Sequence, residues 1–188
     1  MIDENAFGAL ISYLAIEEDE YQFEGTDTFC ARATLFRTAC LDALAAAPPA
    51  PSTHALFFGH ALYVEFPETE DKPTLVAFVR SLRDHLRENE VITAGIVTYG
   101  GRWVESEDSA RVSLSEGAGY RLTEVSMPSE PLRKALLVEA ACQGVGGAEG
   151  WGAGLYFDAE ALQPLGLNLK NQPTPLFAGD GTYFRVGR

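Results

Sequence analysis

The chain has 188 residues, of which 46% are hydrophobic and 22% charged, a balance that excludes collagen-like, disordered and disulfide-scaffold classes. Its 27 acidic and 14 basic residues leave a net charge of −13. That is the wrong sign for a chain that seeks phosphates or an anionic membrane surface, so no nucleic acid and no membrane are expected among its partners.

The first residues, Met1 to Phe7, carry Asp3 and Glu4 where a secretory signal would be basic. The strongest apolar run, Ile92 to Tyr99, is far too short to span a bilayer. Cys30, Cys40 and Cys142 are odd in number and form no CxxC pair. Three buried free thiols in a reducing compartment are expected, and with them a cytoplasmic location.

Phe7, Leu10, Ile11 and Leu14 recur at helical spacing behind Asp3 and Asn5, which predicts an N-terminal helix. It should end at the acidic run Glu17 to Glu20. Tyr21 and Phe23 allow a short strand, and Asp27 can cap a second helix from Thr28 to about Ala46. Three prolines, Pro48, Pro49 and Pro51, stop that helix and mark a linker. Residues 1–50 hold nine acids and two bases, the remainder eighteen and twelve. The division expected is an acidic helical segment, 1–50, packing on an α+β core domain, 54–188.

His54 to Phe66 predicts a strand, interrupted at Gly59. Asp71 and Pro73 open an amphipathic helix to about Asn89, with Leu75, Phe78, Val79, Leu82 and Leu86 inward. Val91 to Tyr99 is a buried strand, followed by a turn at Gly100-Gly101 before Arg102-Trp103-Val104. Tyr120 to Met127 alternates as another strand. Pro128 and Ser129 introduce a helix over Glu130 to Gln143, with Leu132, Leu136, Leu137 and Ala140 inward. Gly154 to Phe157 is a strand, Asp158 to Leu162 a helical turn, and late strands lie around Asp180-Gly181. From His54 to Phe157 the succession is β-α-β-β-α-β, which predicts a ferredoxin-like split β-α-β sandwich. Its sheet should be four-stranded and antiparallel, with helices 73–88 and 130–143 on one face. The N-terminal helices and the strand-rich C-terminal tail are then additions to it.

No catalytic signature emerges. The glycine cluster from Gly144 to Gly154 lacks the spacing of a dinucleotide fingerprint and the Lys-Ser/Thr ending of a phosphate loop. His54, His60 and His85 form no HExxH or i, i+4 ligand pair, so neither a metal nor a cofactor is expected. Arg80, Arg83 and Arg87 make a basic strip along one helix, conspicuous in so acidic a chain. Arg102 and Trp103 follow one glycine turn, and Trp151 lies inside the glycine cluster. Trp and Arg are frequent interface anchors, so these six residues are the candidate binding set, with Trp103 and Trp151 expected near one another. The function expected is that of an acidic, non-enzymatic interaction protein, such as an inhibitor- or immunity-like partner of another protein. The alternative is a small-molecule enzyme drawing acid–base groups from Glu65, Glu124 and His60.

Overall fold

The computed structural model describes residues 5–14, 25–46, 54–57, 60–68, 72–88, 92–101, 129–144, 149–169 and 173–186. Within them lie seven strands and four helices of a mixed α+β fold. In chain order these are β1 (Asn5–Tyr13), α1 (Gly25–Ala46), β2 (His54–Phe57), β3 (Ala61–Pro67), α2 (Lys72–Glu88), β4 (Thr93–Gly101), α3 (Glu130–Gln143), β5 (Gly154–Asp158), α4 (Ala159–Leu162), β6 (Leu176–Ala178) and β7 (Gly181–Arg185). All seven strands join one sheet in the order β2-β3-β1-β4-β5-β7-β6. Every adjacent pair is antiparallel except β4 and β5.

The N-terminal helix expected around Phe7 is instead β1, at the middle of the sheet, hydrogen-bonded to β3 on one side and β4 on the other. Helices cover both of its faces, so Ala6 to Leu14 are all buried. A strand buried on both faces has no polar side to alternate with and reads as a continuous apolar run. The helical spacing of Phe7, Leu10, Ile11 and Leu14 is therefore a coincidence of composition.

That correction shifts the architecture. The succession β-α-β-β-α-β does occur, but over Asn5–Gly101, where β2, β3, β1 and β4 are neighbours and pair antiparallel. The four-stranded antiparallel sheet expected over 54–157 is not formed: β4 and β5 run parallel. Nor do helices 73–88 and 130–143 share a face. Leu75, Val79, Leu82 and Leu86 of α2 pack with Phe7, Ala9, Ile11, Leu62, Val64, Val97 and Phe157, together with Phe36 of α1 and Ala161 of α4. Leu132, Ala135, Val138 and Cys142 of α3 pack with Leu10, Tyr63, Ile96, Tyr156 and Tyr183. Alternation along each strand separates these two sets, so among the described helices α1, α2 and α4 lie on one face and α3 on the other. With β1 at its centre, the sheet takes Asn5–Tyr13 into the core.

The inward residues of α2 are those its periodicity predicts, with Phe78 half-buried. On α3 the buried stripe is rotated from the expected one. Leu136 and Leu137 are only half-buried, whereas Lys134 and Glu139 are buried. Ser129 caps α3 by accepting the Leu132 N–H, Pro131 occupies its first turn, and Gly144 ends it at φ 71°. The helix crosses the sheet where β1 carries Gly8. A β-carbon there would lie 2.8–2.9 Å from Thr98, Tyr63 and Pro131. The strand expected at Tyr120–Met127 and the short strand at Tyr21–Phe23 lie outside the described residues.

Candidate functional site

The polar chemistry of the described residues is concentrated beneath α3, in two clusters near opposite ends of the helix. Register places them at opposite ends of the sheet, since Gly101 pairs with Asn5 and Thr93 with Tyr13.

At the Gly101 end, Lys134 Nζ donates to the Tyr99 carbonyl at 2.8 Å, to Asp158 Oδ2 at 3.0 Å and to Glu160. Glu130 Oε1 stands 3.7 Å from the same ammonium. Asp158 also accepts the backbone N–H groups of Tyr99 and Glu160, and so caps α4. Burial pushes the Asp158 carboxyl above the usual carboxylate range, and the Lys134 ammonium with the two N–H groups only partly offsets it. Burial works against the charge on Lys134 too, but Glu160 and Asp158 outweigh it and its pKa is raised. The cluster is a satisfied buried charge network joining β4, β5, α3 and α4.

Beside it, Tyr63 donates to Glu65 Oε2 at 2.9 Å and shares a 3.2 Å hydrogen bond with Ser129. Glu65, a candidate acid–base residue, is thus buried against a tyrosine.

At the Tyr13 end, three donors converge on one oxygen of buried Glu139. Ser12 Oγ donates to Oε1 at 2.6 Å and Gln143 Nε2 at 3.2 Å, while His60 Nε2 lies 2.8 Å away. His60 is half-exposed, with 47% of its side chain open to solvent. Because the Tyr13 N–H donates to the His60 carbonyl, the imidazole is held at both its backbone and its ring.

The candidate binding residues do not form one patch. Trp151 is half-buried, its indole 5.8 Å from the Tyr156 ring and 6.3 Å from Tyr183. Its carbonyl accepts from Tyr156 and Arg185, so the tryptophan is anchored as much as displayed. Arg80 is exposed on α2 and Arg83 half-buried, with the Arg83 stem near Gly95 of β4. Arg87 belongs to α2, but its side chain lies outside the described residues, as do Arg102, Trp103 and Glu124. The expected meeting of Trp103 with Trp151 falls there too.

Two features were missed in the sequence. The first is Lys134 and Glu139 under α3, whose signal is a stripe of small residues, Ala135 and Cys142, that lets a helix approach a sheet closely. The second is a set of exposed apolar side chains on α1 and β2. Leu41 is 45% and Leu35 38% exposed on α1, and Phe57 of edge strand β2 is 37% exposed. Phe57 stacks 6.0 Å from buried Phe36, which ties the strand to the helix. Across the sheet, Phe177 of β6 is 70% exposed. Of the three thiols expected to be buried, Cys30 is exposed, while those of Cys40 and Cys142 are pushed up to about 12 by burial, leaving them inert at neutral pH. No group of three or more His, Cys, Asp or Glu able to hold a metal ion occurs among the described residues. None of the described helices is long and apolar enough to cross a membrane.

No family model matches the chain, and no curated protein matches it. Among solved structures, the guanylyl cyclase Cya2 is similar to it, with a TM-score of 0.54 over 99% of this chain and 94% of that one. At 10% identity the likeness is one of fold alone.

Proposed function

We propose that this protein is a non-catalytic interaction protein that docks another protein against the α1–β2 edge of its sheet, in the manner of an inhibitor or immunity partner. The observation that carries this reading is the exposed set Leu35, Leu41 and Phe57, backed by the Phe36–Phe57 stack. Exposed apolar and aromatic groups on a helix and strand that pack together are candidates for the apolar core of an interface. Arg80 and half-buried Trp151 are secondary candidate contacts. The order of β2, β3, β1 and β4 supports reading Asn5–Gly101 as a ferredoxin-like module, a scaffold found with many unrelated functions.

Two features weigh against an enzyme reading. Glu65 is committed to Tyr63. The buried acids among the described residues, Glu65, Glu139 and Asp158, already face Tyr63, Ser12 and His60, or Lys134.

The test is affinity capture from the source cell by the full chain and by its L35E/L41E variant. A stoichiometric protein partner retained by the parent and lost by the variant, with unchanged melting, is expected. Equal capture by both, or conversion of GTP to a cyclic nucleotide by the purified chain with magnesium or manganese, would overturn the reading.

A further inference from the structure

The Tyr13 end of the sheet holds an arrangement that docking at α1–β2 does not use. An imidazole open to solvent is backed through one nitrogen by a carboxylate that is itself buried. His60 Nε2 lies 2.8 Å from Glu139 Oε1, and Glu139 is held in place by Ser12 at 2.6 Å and Gln143 at 3.2 Å. Glu139 is 6% exposed, while nearly half of the His60 side chain reaches solvent.

We propose that His60 is a nucleophilic imidazole that accepts an acyl group from a neutral, activated carbonyl compound. The geometry assigns the parts. With Nε2–H directed at the carboxylate, the ring is the tautomer whose lone pair sits on Nδ1. Attack by Nδ1 on a carbonyl carbon makes the ring cationic, and that charge develops beside a fixed carboxylate with little water around it. A preorganised opposite charge stabilises such a step more than solvent can. A neutral donor is specified because a chain of net charge −13 repels anionic acyl or phosphoryl donors.

Diethyl pyrocarbonate is a suitable probe. The Nδ1 lone pair bonds to one carbonyl carbon, the anhydride carbon–oxygen bond breaks, and ethyl carbonate leaves with the electron pair. The Nε2 proton passes through Glu139 to solvent, leaving a neutral N-acylimidazole. Acylation of the full chain is followed by ultraviolet absorbance and mapped by peptide mass spectrometry, with N-acetylhistidine amide as the reference. His60 should react about tenfold or more faster than the reference, well within the roughly 10²–10³ attributed to a single preorganised electrostatic contact. H60A should lose that phase, and E139Q should bring His60 back to the reference rate with the melting temperature little changed. A purely structural tie between His60 and α3 would leave the acylation rate at or below that of the reference, which overturns the proposal. If E139Q does not fold, E139D retains the charge but withdraws it from the ring, and an undiminished rate in E139D would equally overturn it.

Discussion

Lys134 shows how much one buried side chain can hold. Its ammonium faces Asp158, Glu160, Glu130 and the Tyr99 carbonyl, while its side chain is 5% exposed. Replacing it with methionine keeps the bulk but leaves Asp158 buried without its cation. Breaking a buried pair in this way costs about 3–5 kcal/mol, to be read from urea unfolding at neutral pH. The loss should depend on pH with a definite sign. Asp158 is already raised in the folded state by burial, and removing Lys134 raises it further. The folded variant therefore binds a proton more readily than its unfolded chain, and its deficit shrinks as pH falls towards the ordinary carboxylate range. A deficit that is flat with pH would mean that Asp158 finds another partner. Lys134 itself, raised above its ordinary 10.5, contributes fully at neutral pH and loses that contribution only on strongly alkaline titration.

Helices and strands differ in how clearly the sequence announces them. Helix α2 was legible to within a residue or two because one of its faces is wet, so its apolar positions keep a 3.6-residue period. Helix α3 was legible in its ends, through Ser129, Pro131 and Gly144, but not in its rotation. Two polar residues under the helix, Lys134 and Glu139, displace the apparent apolar face, and nothing local reveals that their partners lie on β1, β4 and β5. Strand β1 was misread because burial on both faces erased its period. The His60–Glu139 pairing was illegible for a related reason, since its members meet only once β1, β3 and α3 are stacked. At this scale Gly8 provides the sharpest test. G8A places a methyl group 2.8–2.9 Å from Thr98, Tyr63 and Pro131, so α3 must lift from the sheet. Overpacking of this kind costs about 1–3 kcal/mol. A lower thermal midpoint, with protection from amide exchange reduced first along α3, is the expected result, and a neutral substitution would show that the helix is not seated on Gly8.

For the whole molecule, the consequence of the strand order is that elements on either side of Pro48–Pro51 share one sheet, with β1 between β3 and β4. A chain that starts at His54 keeps β2 to β7 but opens the centre of the sheet, exposing the edges of β3 and β4 where β1 was bonded. Two such edges flanked by apolar side chains favour association over folding. The shortened chain should show no cooperative thermal transition and should bind a hydrophobic dye. A sharp two-state melt from it would make residues 54–188 a domain in their own right. The proposed α1–β2 docking surface loses Leu35 and Leu41 in that fragment as well, because both lie upstream of the cut.

The place of β1 also sets a timetable for the nascent chain. Strand β1 is synthesised before both of its neighbours, Ala61–Pro67 and Thr93–Gly101, so its backbone donors and acceptors wait until Thr93–Gly101 has been made before both edges are paired. Long-range closure of this kind slows folding, because loop entropy is spent before the contacts that repay it exist. During that interval a segment as apolar as Ala6 to Leu14 is a natural client for a holding chaperone, and the dense acidic charge that follows it, Glu17 to Glu20, is well placed to keep neighbouring nascent chains apart.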